Sequence, residues 1–173
     1  MIVIKTKDFI LRPIRMNDAE LYFESQQDKY ARKGFMTTPK TLSEAKSEIQ
    51  GRIKALKEKH GITFAIEIDK KYAGYVEIHE LTERERYRHT AQIGYCIHPK
   101  YRGKGITTKA VKLVTEYAFK RYKLKRISGW CRTFNKASAR VLEKAGYKLE
   151  GILRKNKFKD GKYLDDMVWA KVR

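Results

Sequence analysis

The sequence predicts one domain of mixed α/β class, a central mixed sheet with about four helices, from three observations. Residues 90–131 read as strand, glycine loop, amphipathic helix and strand, which implies a parallel strand pair joined by a right-handed crossover. Before that unit, Ile62, Phe64, Ile66 and Ile68 alternate with more polar positions. Asp69-Lys70-Lys71 then turns the chain and residues 72–78 return, the pattern of a hairpin. Finally, 173 residues of which 42% are apolar are enough for one domain with a full core.

Taken in order, residues 9–14 read as a first strand, interrupted at Pro13. Asn17 and Glu20 have capping-box spacing and open a helix to about Tyr30. Residues 32–40 form a loop containing Gly34 and Pro39. Thr41 and Glu44 repeat the capping-box spacing, and Leu42, Ala45, Ile49, Ile53 and Leu56 then share a helical face as far as a cap at His60-Gly61. Residues 83–89 are charged and read as a loop, and residues 90–97 as a strand stopped by Pro99. From Lys104 to Tyr122 the period is helical, with Ile106, Ala110, Leu113, Val114, Tyr117 and Ala118 on one face. A strand at 126–131 and a short helix at 137–145, closed by Gly146, lead to two last strands at 147–153 and 163–172 around Asp160-Gly161. No repeat, linker or low-complexity segment interrupts the chain.

The formal charge is +20. It points to an anionic ligand or surface, such as a nucleotide cofactor, RNA or an acidic protein, and argues weakly against a free polycation as substrate. For most single lysines a solvated surface is explanation enough. The charge is uneven, however: residues 98–126 hold ten Lys or Arg and one acid, Glu116. The N-terminal residues lack the apolar run of a signal peptide and no segment is long enough to span a bilayer. Cys96 and Cys131 are too few for a disulfide framework, and neither they nor the four histidines have metal-ligand spacing. The expectation is a reduced, cytoplasmic protein without metal and without a membrane.

The stretch from Ile93 to Thr108 carries the chemistry. A strand leads through a basic glycine loop into a helix, which places unpaired backbone N–H groups and a positive helix end where an anion can sit. Lys100, Arg102 and Lys104 make phosphate the expected anion. A Walker A loop requires G-x-x-x-x-G-K-[ST], which Gly103-Lys104-Gly105-Ile106 does not supply. A dinucleotide fingerprint requires a third glycine where Thr108 stands and an acid about twenty positions on, where Lys123-Leu124-Lys125 stands.

Lys100-Tyr101-Arg102-Gly103-Lys104-Gly105 instead resembles the Q/R-x-x-G-x-G/A motif of the GNAT superfamily, the coenzyme A-dependent N-acetyltransferases, with Lys100 departing from its first position. Three further segments resemble the branch that acetylates ribosomal-protein N-termini. They are Leu11-Arg12-Pro13, the run Asn135-Lys136-Ala137-Ser138 with Glu143-Lys144-Ala145-Gly146-Tyr147, and Arg154 with Asp160-Gly161-Lys162-Tyr163 and Asp165. The resemblance therefore spans essentially the whole chain. It implies a mostly antiparallel sheet whose parallel strand pair splays apart around acetyl-CoA.

On that resemblance the cofactor arm pairs with the backbone near Cys96 and Ile97. Its pyrophosphate rests on the N–H groups of Arg102, Gly103, Lys104, Gly105, Ile106 and Thr107, and Asn135 bonds the arm. Asn135 equally reads as a helix N-cap. Many relatives place a tyrosine acid where this chain has Leu142. The branch resemblance moves that role to Ser138, which also reads as a small polar residue on a first helical turn. Glu77, with His79 near it, and Glu150 are candidates for the base, directly or through water. Cys96 has no recognisable partner for covalent catalysis and reads as a buried apolar residue. By the same resemblance, Tyr30, Phe35 and Met36 line an acceptor groove.

Three functions follow. The first is acetyl transfer to a protein N-terminal α-amine, of ribosomal type. The second is transfer to a small-molecule amine. The third, of another class, is a ribosome- or RNA-binding module that keeps the fold, supported by charge but lacking RNA-reading aromatic motifs. Either a monomer or a homodimer is compatible with the sequence.

Overall fold

The computed structural model describes residues 2–173. Strands β1 (Ile4–Lys5), β2 (Ile10–Pro13), β3 (Ile62–Ile68), β4 (Lys71–His79), β5 (Thr90–Ile97), β6 (Arg126–Arg132), β7 (Lys148–Lys159) and β8 (Lys162–Val172) form one sheet in the order β1-β2-β3-β4-β5-β6-β8-β7. All neighbours are antiparallel except β5 and β6, the pair joined by the crossover helix. Among the described residues five α-helices, one more than the sequence suggests, cover the two faces: α1 (Ala19–Gln26), α2 (Lys29–Gly34), α3 (Leu42–Lys57), α4 (Ile106–Tyr122) and α5 (Lys136–Lys144).

Two apolar clusters hold these layers. On one face Ala110, Val111 and Val114 of α4 and Leu142 of α5 pack on Phe64, Val76, Ile93 and Ile127. On the other, Tyr22 of α1 and Ala45 and Ile49 of α3 pack on Ala65, Tyr75 and Cys96. Because helices cover both faces, β3 is buried at every position from Ile62 to Ile66, including Thr63, rather than alternating.

The extra helix arises at Asp28. The expected helix from Asn17 to Tyr30 is split because the Asp28 side chain accepts from the backbone N–H of Tyr30 and Ala31, at 2.9 and 3.3 Å, and starts α2 afresh. The Asn17–Glu20 box does not form. Asp18 caps a 3-10 turn instead, accepting from Arg15 N at 2.8 Å while its carboxylate pairs with buried Arg12. Thr41 caps α3 as expected through Glu44 N at 3.1 Å, but Glu44 reaches back to Lys40 N rather than to Thr41. That helix ends at Lys57, and Lys59 rather than Gly61 takes the left-handed conformation. Both hairpin turns, Asp69-Lys70 and Asp160-Gly161, have positive φ at both residues, the geometry that matches strand twist.

Candidate active site

The parallel pair is registered only from Thr90↔Arg126 to Ile93↔Gly129. Beyond that point β5 stays paired with β4 as far as Ile97, and β6 with β8 as far as Arg132, so the two strands diverge and a gap opens through the sheet. The last paired residue is Gly129, where an added Cβ would lie 2.9 Å from Leu142 Cδ2 and 3.1 Å from Ile93 Cγ2. Along the gap, the β6-facing backbone groups of residues 94–97 have no strand partner. Cys96 O is turned to β4, against where a Cβ on Gly74 would sit, so by strand alternation it is the Tyr95 and Ile97 backbone, not that of Cys96, that faces the gap and is open to a ligand running alongside as an added strand.

The glycine loop closes the end of this gap. After a 3-10 turn at Pro99–Tyr101, Gly103 and Gly105 adopt φ of 76° and 71°, and Gly105 opens α4 with no side chain capping the helix. A residue with a Cβ is strained in that conformation, which is why the loop carries glycine at these two positions. The first helical bond is Lys109 N to Gly105 O at 3.1 Å, so the N–H groups of Ile106, Thr107 and Thr108 have no intrahelical acceptor. With the loop N–H groups of Gly103 and Lys104 they form a concave donor set at the positive end of a 17-residue helix. Arg102 differs from expectation in detail: its N–H donates to Pro99 O at 3.2 Å and its guanidinium donates to Asp28 at 2.7 Å and lies 5.3 Å from the Tyr30 ring centre. It ties the loop to α2 instead of standing free.

Asn135 caps α5, its Oδ1 accepting from Ser138 N at 3.1 Å. Its amide nitrogen lies 3.6 Å from where a Cβ on Gly34 would sit, placing it between α5 and the end of α2. The Ser138 hydroxyl is 2.8 Å from the Tyr95 hydroxyl, and Ser138 O accepts from the same tyrosine at 3.0 Å. Burial pushes the Tyr95 pKa well up, so the phenol is protonated at neutral pH. Leu142, at the position where relatives carry a tyrosine, is fully buried against Gly129 and has no acid chemistry to offer.

Glu77 stands on β4, opposite Gly94, and faces the α1–α3 layer. Its Oε2 accepts from Arg52 Nε at 3.1 Å and Thr63 Oγ1 at 3.3 Å, while Oε1 lies 2.9 Å from the position of a Cβ on Gly94. Alternation along β5 puts Tyr95 and Ser138 on the other face, so Glu77 and Ser138 flank the gap from opposite sides of the sheet. Glu77 also borders a cavity of about 290 Å³ shared with Tyr22, Phe35, Met36, Glu48 and Arg52. Phe35 and Met36 border this cavity; Tyr30 does not, its ring lying against Arg102.

The Arg52 guanidinium lies over the rings of Tyr22 and Tyr75, 5.2 and 5.0 Å from their centres, and 3.6 Å from Glu48. His79 lies outside this cavity, beside Glu80 at 3.9 Å. Glu150 pairs with Arg126 at the closed end of the strand pair, far along β6 from the gap, and its carboxylate is held below the usual range by that arginine. Burial pushes the Cys96 thiol up to about 11, which keeps it neutral and a poor nucleophile. No cluster of three metal-ligating side chains occurs among the described residues.

Sequence reasoning missed Tyr95, Arg52 and Glu48. Tyr95 and Ser138 are 43 residues apart and no local pattern links them. Gly94 inside a strand was the one available signal, since a strand glycine marks a close approach.

This geometry can be set beside known proteins. The profile of the acetyltransferase (GNAT) domain matches residues 8–148. Two Bacillus subtilis (strain 168) proteins are similar over nearly their whole lengths. The uncharacterized N-acetyltransferase YoaA is 32% identical over 99% of this chain and 97% of that protein. The probable N-acetyltransferase YjcK is 34% identical over 97% and 96%. Among solved structures, the ribosomal L7/L12 α-N-protein acetyltransferase RimL in complex with coenzyme A superposes with a TM-score of 0.86 over 99% of this chain and 98% of that one; at 19% identity the likeness speaks to the fold. The microcin C7 self-immunity acetyltransferase MccE, in complex with acetyl-CoA and AMP, gives 0.85 at 25% identity over 97% and 94%. The splayed strands, the uncapped glycine-led helix and these matches agree: the chain belongs to the GNAT family and is an N-acetyltransferase.

Proposed function

We propose that the chain transfers acetyl from acetyl-CoA directly to a protein N-terminal α-amine, of the kind found on ribosomal proteins. The observation that carries this reading is the gap between β5 and β6. The uncapped glycine-led start of α4 closes its end, and Glu77, beside the 290 Å³ cavity, flanks its acceptor side. The pyrophosphate rests on the N–H groups from Gly103 to Thr108, and the pantetheine arm runs along Tyr95 and Ile97 past Asn135. The acceptor amine enters from the cavity, with Glu77 taking its proton through Oε1 or a water. On the opposite face Ser138 returns a proton to the departing thiolate, resupplied by Tyr95.

The state of the amine favours an N-terminus. Roughly a tenth of α-amines are neutral at pH 7, against about one lysine side chain in a few thousand. The Glu77 Oε2 is already engaged by Arg52 and Thr63, which leaves Oε1 to accept a proton from an amine that is neutral often enough to attack. A second reading, a small cationic amine, is favoured by the two carboxylates Glu48 and Glu77 on one cavity wall in a chain of charge +20. Thiol release measured over N-terminal peptides, internal-lysine peptides and small amines separates them. Turnover confined to small amines overturns the first reading.

A further inference from the structure

A larger cavity, of about 930 Å³, lies at the other end of the sheet, where β5 and β6 begin and α4 ends. Helix α4 is 17 residues and thus about 25 Å long, so this cavity is a full helix away from the glycine loop. Its floor is apolar and aromatic: Leu56, Leu81, Tyr117 and Tyr122. The two tyrosine rings meet edge to face, with centres 6.3 Å apart at 90°. The Tyr117 hydroxyl is buried with no hydrogen-bond partner among the described residues.

The rim carries Lys59, Arg88, Arg121, Lys123 and Lys125, against one acid, Glu83. Among the described residues none of these five is in an ion pair. Arg15, Arg32, Arg84, Arg86, Arg140 and Arg154 are in none of the ion pairs either, so it is the convergence of five cations on one hollow, and not the lack of partners, that sets this rim apart. Arg121 and Lys123 sit at the negative end of α4, and complementing the helix dipole accounts for them. It does not account for Lys59, Arg88 and Lys125, which come from three other segments and converge on the same hollow. Uncompensated cations around a concave apolar floor attract an anion that also has a flat body. The volume lies at the upper end of the roughly 300–1,000 Å³ typical of small-molecule sites. The charges ring a hollow rather than follow a track, which favours a compact ligand over a nucleic-acid strand.

We propose that this second cavity binds a phosphorylated, ring-bearing small molecule of mononucleotide size, its ring on the tyrosine–leucine floor and its phosphates on the rim. ADP is a suitable probe, titrated into the intact isotope-labelled protein while backbone amide shifts are followed. Saturable shifts at Leu81, Tyr122, Lys123 and Lys125, separate from any at Gly103 to Thr107, are expected. Arg121→Glu with Lys125→Glu should weaken the first set by about tenfold or more and leave the second set unchanged, as loss of charge-assisted phosphate contacts implies. Tyr122→Ala should lower ADP affinity towards that of inorganic pyrophosphate. Shifts confined to the glycine loop overturn the proposal, while absence of any loop response to coenzyme A would count against the cofactor assignment instead. Insensitivity to the double substitution, or a ten-nucleotide single-stranded RNA that perturbs the same amides at lower concentration than ADP, also overturns it.

Discussion

Tyr95 and Ser138 are joined twice: the phenol donates to Ser138 O at 3.0 Å, and the two hydroxyls lie 2.8 Å apart. A tyrosine with one proton cannot donate to both oxygens, so with the carbonyl bond made, the serine hydroxyl donates to the phenol. When Ser138 gives its proton to a leaving thiolate, the phenol proton can swing to Oγ. Ser138→Ala should lower kcat by about 10²-fold, in the range of positioned acid catalysis, with KM for acetyl-CoA nearly unchanged. Tyr95→Phe should lower kcat less, by about tenfold. Steady-state kinetics at neutral pH decide this; an unchanged kcat in Ser138→Ala removes the serine from the mechanism.

Gly94 makes room for Glu77. A methyl group there would sit 2.9 Å from Oε1 and must displace the carboxylate, since the backbone is held in register with β4. Gly94→Ala should fold with a cost of about 1–3 kcal/mol, as overpacking does. It should lose kcat/KM for the acceptor by at least about tenfold while coenzyme A still raises Tm. Glu77→Gln should lose activity to at least the same extent.

Gly103→Asp should abolish the thermal shift produced by acetyl-CoA. The native shift reflects a ligand that binds only the folded state, about 2.7 kcal/mol at a hundred times Kd. An aspartate tolerates the left-handed φ at about 1 kcal/mol but sets a negative charge among the pyrophosphate donors. Differential scanning fluorimetry with and without coenzyme A measures both effects, and a preserved shift places the pyrophosphate elsewhere.

Asp28 links α2 to the glycine loop and supplies a pH signature. Partial burial raises its pKa, but Arg102 and the N–H groups of Tyr30 and Ala31 outweigh this and leave it below the ordinary value. A depressed folded-state pKa contributes stability that is present above the unfolded value, near 3.9, and is lost as pH falls through the folded one. Asp28→Asn should therefore lower Tm at pH 6–7 and converge with the parent at the acid end. A constant difference down to low pH would mean that the charge of Asp28 contributes nothing.

Much of this protein was legible in its sequence because it rests on local chemistry. Positive φ at residues 103 and 105 calls for glycine, an uncapped helix end calls for an anion, and the 90–131 unit calls for a parallel pair. Glycine spacing and hydrophobic period record such demands residue by residue, so Thr90–Ile97 and the start of α4 could be read directly. The helix break at Asp28 was not legible, because a capping aspartate and a surface aspartate look alike until the chain beyond them is placed.

The sequence by itself determined the glycine loop, the parallel strand pair on either side of it and the family. Only the tertiary structure decided which side chains meet. It brought Tyr95 to Ser138 across 43 residues and laid Arg52 over Tyr22 and Tyr75 beside Glu77. It also sent Glu150 to Arg126, away from the gap, and turned Arg102 onto Asp28. The reason is physical: backbone conformation is a local cost that each residue type announces, whereas a proton path or an ion pair depends on distances set by the packing of both helical layers on one sheet.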